Sequence, residues 1–106
     1  MKGGVYINGE LAGMLEKKAS GEYEFRYEDA YLLNPSKPSI SLSLPKKMKC
    51  FKSDHLFAFF QGLLAEGINK DIQCRLLKID EKDDFSRLLQ TASEDTIGAV
   101  TIKALP

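Results

Sequence analysis

The residues able to do chemistry are few in this 106-residue chain. There is one histidine, His55, and there are two cysteines, Cys50 and Cys74. No serine, cysteine or carboxylate stands in a recognisable motif around His55, so a nucleophile triad or a histidine-rich metal site is not expected. Near a helix start, His55 reads as a partly exposed packing residue. Gly4 and Gly9 have the glycine spacing of a phosphate-binding loop. The next residues are Glu10 and Leu11, where that loop needs Lys for the phosphates and Ser or Thr for magnesium. Gly9 is better explained as the second residue of an Asn8-Gly9 hairpin turn.

Asp80-Glu81-Lys82-Asp83-Asp84 has the look of a cation site. It lacks the mid-loop glycine and distal glutamate of an EF-hand, and acids at a helix N-terminus account for it. Lys46, Lys47, Lys49 and Lys52 cluster beside Phe51 and read as a solvated basic loop able to touch phosphate or an acidic partner. Paired carboxylates suited to acid–base work are lacking. The chain is expected to be non-enzymatic and to need no cofactor or metal.

Composition narrows the classes further. Fifteen basic and fifteen acidic side chains cancel, which disfavours a free-standing nucleic-acid binder. No apolar run approaches the ~20 residues of a membrane span. The start, MKGGVYINGE, has no apolar core with a cleavage site after it. Two cysteines make no disulfide framework, so reduced thiols and a cytoplasmic location are expected. The length suits one domain over residues 1–106.

The elements that must position these residues follow from pattern. Val5–Ile7, the Asn8-Gly9 turn and Leu11–Lys17 read as a hairpin, and Glu22–Tyr27 alternates polar and aromatic as a half-buried strand does. Glu28–Leu33 reads as one helical turn. Ser39–Leu44 alternates small polar with apolar between Pro38 and Pro45, either as a strand or as an extended edge piece. The second half reads as three helices. The first is capped by Ser53 and ended by Gly67; the second carries Ile68, Ile72, Leu76 and Ile79 on its buried side. The third, capped by Asp80, buries Phe85, Leu88, Leu89 and Ala92. Gly98–Ile102 closes the chain as a strand. Strands first and helices next predict an α+β fold, a small mainly antiparallel sheet packed with about three helices.

The first of these helices is unusual. Leu56–Ala65 holds ten residues without a charge, and Leu56, Phe59, Phe60, Leu63 and Leu64 form one apolar stripe. Its other side offers only Ala58, Gln61, Gly62 and Ala65. Such a helix must be covered by its own domain or by another protein.

Six segments in order resemble a known family: VYINGELAGML (Val5–Leu15), FRYEDAYL (Phe25–Leu32), SISLSLP (Ser39–Pro45), FFQGLLAEG (Phe59–Gly67), DDFSRLL (Asp83–Leu89) and GAVTI (Gly98–Ile102). The chain resembles the N-terminal subdomain of HipA-type serine/threonine kinases, the toxin halves of bacterial toxin–antitoxin systems. It departs from that pattern at Ala65, where the family has proline, and at Ile68, where many members have an aromatic residue. In the family the ATP site lies in a large C-terminal portion. The chain is similar to the small antitoxin component of the split, HipBST-type arrangement. The resemblance implies a non-catalytic module that binds and inhibits a HipA-like kinase, with a helix-turn-helix DNA-binding protein in the same complex. The alternative it implies is a structural subunit completing or assembling a split kinase. Neither direct nucleic-acid binding nor membrane association is expected. The candidate partner-binding residues are Phe57, Gln61, Glu66 and Ile68.

Overall fold

A computed structural model describes residues 1–64, 67–80, 82–91 and 100–105, the side chains of residues 67, 68 and 91 excepted. Strands β1 (Lys2–Ile7) and β2 (Glu10–Lys17) are joined at Asn8 and Gly9, both at positive φ (50° and 82°). That is the conformation a two-residue hairpin turn demands, and glycine adopts it without Cβ strain. Strand β3 (Tyr23–Tyr27), helix α1 (Asp29–Leu32) and strand β4 (Cys50–Ser53) follow. Helices α2 (Ala58–Gln61), α3 (Gly67–Leu77) and α4 (Asp84–Thr91) precede the last strand, β5 (Val100–Leu105). The five strands form one antiparallel sheet in the order β4-β3-β2-β1-β5. The α+β expectation therefore holds.

One face of the sheet carries the core. Val5, Leu15, Phe25, Tyr27 and Ile102 are fully buried on it, and Tyr31, Phe60, Phe85 and Leu88 pack down from the helices. Phe25 meets Tyr27 edge-on at 4.9 Å and Phe60 at 5.8 Å, while Phe85 meets Tyr23 at 5.9 Å. The pairing of β1 with β2 slips between Val5 and Tyr6: Val5 faces Gly13 and Tyr6 faces Leu11, leaving Ala12 as the extra residue of a bulge. A Cβ on Gly13 would stand 2.8 Å from the Phe25 ring and 2.5 Å from the Arg26 carbonyl. Glycine there lets the central ring lie against the sheet.

Several local expectations fail for identifiable reasons. Strand β4 runs through the lysine cluster, where the charges hide its one inward apolar residue, Phe51, paired opposite Phe25. Ser39–Leu44 is neither a strand nor an edge piece. It is a turn with one bridge, Ser41 to Leu44; Ile40 and Leu44 are buried as the alternation implied, but Leu42, the apolar residue between them, is fully exposed. The long central helix contracts to α2, whose N-cap is Phe57 rather than Ser53. Gly67 opens α3 instead of ending the preceding helix. Asp83, not Asp80, caps α4: its carboxylate accepts the Ser86 N–H at 3.1 Å and the Ser86 hydroxyl at 2.7 Å. Gly98, Ala99 and Ala92 lie outside the described residues.

The Tyr27 hydroxyl, buried in this core, donates to the Leu44 carbonyl and accepts the Ile40 N–H at 3.1 Å. Tyr27→Phe leaves both backbone groups without that partner. It is expected to cost about 1–3 kcal/mol, read as a lower urea midpoint with an unchanged m-value. An unchanged midpoint would show that the hydroxyl is dispensable.

Candidate partner-docking surfaces

The residues considered for catalysis sit in structural roles. His55 is exposed, and its Nδ1 lies 2.6 Å from Oδ1 of its chain neighbour Asp54, with no nucleophile in the pairing. Gly4 belongs to β1 and Gly9 to the hairpin turn, so the glycine spacing builds no phosphate loop at a helix start. In the acidic run, Asp80 accepts the Lys82 N–H, Asp83 caps α4 and Asp84 meets Arg87 at 3.1 Å; Glu81 lies outside the described residues. Among the described residues no group of His, Cys, Asp or Glu is placed to hold a metal ion. Both cysteines are free thiols, Cys50 half-buried and Cys74 buried. Burial and the neighbouring Glu24 push the Cys50 thiol up, so it is a poor nucleophile at neutral pH.

The lysine cluster divides by function. Lys46 turns inward: its Nζ donates to the carbonyls of Asn34 (2.6 Å) and Lys37 (2.8 Å) and lies 5.2 Å from the Tyr31 ring centre. Lys49 pairs with Asp29. Lys47 and Lys52 are exposed.

The outer face of the sheet is polar. A groove of about 300 Å³ there is lined by Lys2, Met14, Glu16, Glu24, Arg26 and Glu28. Glu24 is nearly buried and takes Lys18 at 2.8 Å and Arg26 at 3.0 Å. Lys18 first, then Arg26, hold its carboxyl down to about 2, against a smaller upward push from burial.

The central segment is covered by its own domain. Leu56, Phe60 and Leu64 are buried, and Phe57, Phe59 and Leu63 are half-buried against the same core. Of the four candidate contact residues, Phe57 packs edge-on to Phe60 at 6.2 Å. Gln61 is exposed and donates to Asp84 Oδ2 at 3.3 Å. Glu66 and the side chain of Ile68 lie outside the described residues. The structure thus brings Phe57 and Gln61 together around α2 and leaves the other two undescribed.

Open apolar surface lies elsewhere, on α3. Its buried residue is Cys74, while Ile72 (48% exposed) and Leu76 (77%) stand about half a turn away around the helix axis. Of the four residues expected to face the core, Ile72 and Leu76 therefore face outward, Ile79 is half-buried past the end of α3, and the side chain of Ile68 lies outside the described residues. The signal was present in the sequence as Ile72 and Leu76 at i, i+4. Periodicity finds the stripe but does not tell which side the domain covers. A second apolar group, Leu33, Leu42 and Met48, is exposed around the turn before β4.

The model of the HipA N-terminal domain matches residues 4–103 of this chain. An uncharacterized protein of Haemophilus influenzae is 37% identical over 101 residues, covering 95% of this chain and 90% of that protein. A Sinorhizobium fredii protein named "Putative kinase Y4mE" is 29% identical over 98 residues, covering 92% of this chain but only 23% of its own length.

Glu24 supplies a pH test of the outer face. Its folded value of about 2 lies below the ordinary carboxylate value, so its contribution is fully present above about pH 5 and is lost as pH falls towards 2. Urea midpoints measured between pH 2 and pH 6 are expected to fall on the acid side, and Glu24→Gln is expected to flatten that limb. An equally steep limb in the variant would assign acid sensitivity to other groups. With the fold, the outward stripe and the family match in hand, the chain belongs to the HipA N-terminal domain family.

Proposed function

We propose that this chain is a non-catalytic binding module that docks on a HipA-like serine/threonine kinase subunit and restrains it, as the antitoxin of a cytoplasmic toxin–antitoxin pair. The observation that carries the reading is the outward stripe of α3. A helix that turns two large apolar side chains, Ile72 and Leu76, to water gains by finding a groove to fill. The family supports the choice of partner, because in the S. fredii protein the same domain is part of a far longer chain whose name denotes a kinase. The contact set proposed is the α2–α3 corner: Phe57, Gln61, Glu66 and Ile68, continued by Ile72 and Leu76.

Restraint of this kind requires no contact with ATP. A module that binds the inactive kinase conformation ~3 kcal/mol more tightly than the active one shifts the population roughly a hundredfold. The same S. fredii match favours a second reading, in which the module completes a split kinase or assembles it with a helix-turn-helix DNA-binding protein.

The test is phosphotransfer by the HipA-like kinase subunit of the same genome, titrated with this protein. Turnover is expected to fall to a plateau at one equivalent. Unchanged turnover with the protein demonstrably bound would contradict the inhibitor role, and a rise would favour the structural one. The double variant Ile72→Asp/Leu76→Asp is expected to weaken kinase binding at least tenfold without lowering the melting temperature, since both side chains are exposed. Wild-type affinity in that variant would remove α3 from the interface.

A further inference from the structure

The turn between α1 and β4 is held far more firmly than its lack of regular structure suggests. The Tyr27 hydroxyl ties together the backbones of residues 40 and 44 from below. Tyr31 donates to the Pro38 carbonyl at 2.6 Å, and the Ser39 hydroxyl accepts the Lys46 N–H at 3.0 Å. Lys46 Nζ closes the base of the loop on the carbonyls of Asn34 and Lys37. At the apex the Ser41 hydroxyl accepts the Ser43 N–H at 3.2 Å and meets the Ser43 hydroxyl at 3.0 Å. Ile40 and Leu44 point into the core, and Leu42 between them is 100% exposed.

A leucine at the tip of a loop already fixed by side-chain hydrogen bonds loses little freedom on burial. That is the condition under which a single apolar anchor contributes most to an interface. The stretch that carries it is one-sided in charge. From Leu32 to Ser53 the chain has five lysines and no carboxylate. Lys37 and Lys49 are matched to Glu10 and Asp29, and Lys46 is turned inward. Lys47 remains exposed with no ion pair among the described residues, while Lys52 stands opposite Glu24 in the β3–β4 register.

We infer that this turn is a second docking element, with Leu42 as its anchor, and that its occupant is an apolar pocket rimmed by carboxylates on the kinase subunit. The inference rests on the proposed docking to that kinase and adds a contact distinct from α3. Lys47 recognises the acidic rim and steers approach; Leu42 fills the pocket. The chain's zero net charge and the apolar tip favour a protein over a nucleic acid as occupant.

The experiment measures affinity of the full chain for the kinase subunit by titration calorimetry at two salt concentrations. Leu42→Asp is expected to weaken binding at least tenfold while leaving the melting temperature unchanged. Lys47→Glu is expected to weaken it about threefold at low salt and to reduce the salt dependence. Wild-type affinity in Leu42→Asp, with wild type itself binding, would overturn this inference and leave kinase docking standing. No binding by wild type would overturn both. A duplex DNA shifted by the isolated protein, and released by Lys47→Glu, would reassign the turn to nucleic acid and overturn the protein pocket.

Discussion

The Phe25 ring lying against Gly13 is the contact on which the rest of the inner layer is built. Because residue 13 has no side chain, the ring sits close to the sheet and presents its edges to Tyr27 and Phe60. Tyr27 then reaches the turn at residues 40–44, Phe60 fixes α2, and Phe85 of α4 closes over Tyr23 at the neighbouring register. A larger residue at position 13 would lift the ring and separate these elements together, since packed interiors respond to displacements of a single methyl group.

That arrangement also decides what is left uncovered. The inner face of the sheet is occupied by α2, α4 and the turn before β4, each contributing fully buried or nearly buried side chains. Helix α3 is anchored through Cys74, and its two most apolar outward positions, Ile72 and Leu76, face solvent. The polar outer face of the sheet, with Glu24 locked between Lys18 and Arg26, has no comparable apolar content. Among the described residues, most of the exposed large apolar side chains therefore stand on α3 and around the Leu42 turn.

The sequence made the sheet legible wherever turn chemistry and alternation agreed. Asn8-Gly9 defined the first hairpin, and the aromatic alternation of residues 22–27 marked β3 at the sheet's inner face. It was illegible at β4, where only Phe51 faces inward among lysines, and in the central segment. There, ten uncharged residues imitate a long helix while the chain makes one short helical piece and bends. The direction in which α3 faces depends on how many elements the sheet can accommodate, a tertiary property that local periodicity does not contain. Of the candidate contact residues, Phe57 lies in the covered part of that segment and Gln61 at its exposed edge. Ile72 and Leu76, one and two turns beyond Ile68, have a core-like spacing and are exposed for the same reason.

The HipA N-terminal fold thus supplies a filled inner layer and two apolar outposts, consistent with a part whose chemistry is recognition. Hydrogen exchange of this protein with and without the proposed partner, a HipA-like kinase subunit, addresses that account most directly. It predicts slowed exchange on binding in α3 and in residues 39–47, with β1, β2 and β3 unchanged. Protection confined to the outer face of the sheet, around Glu16 and Glu28, would contradict it.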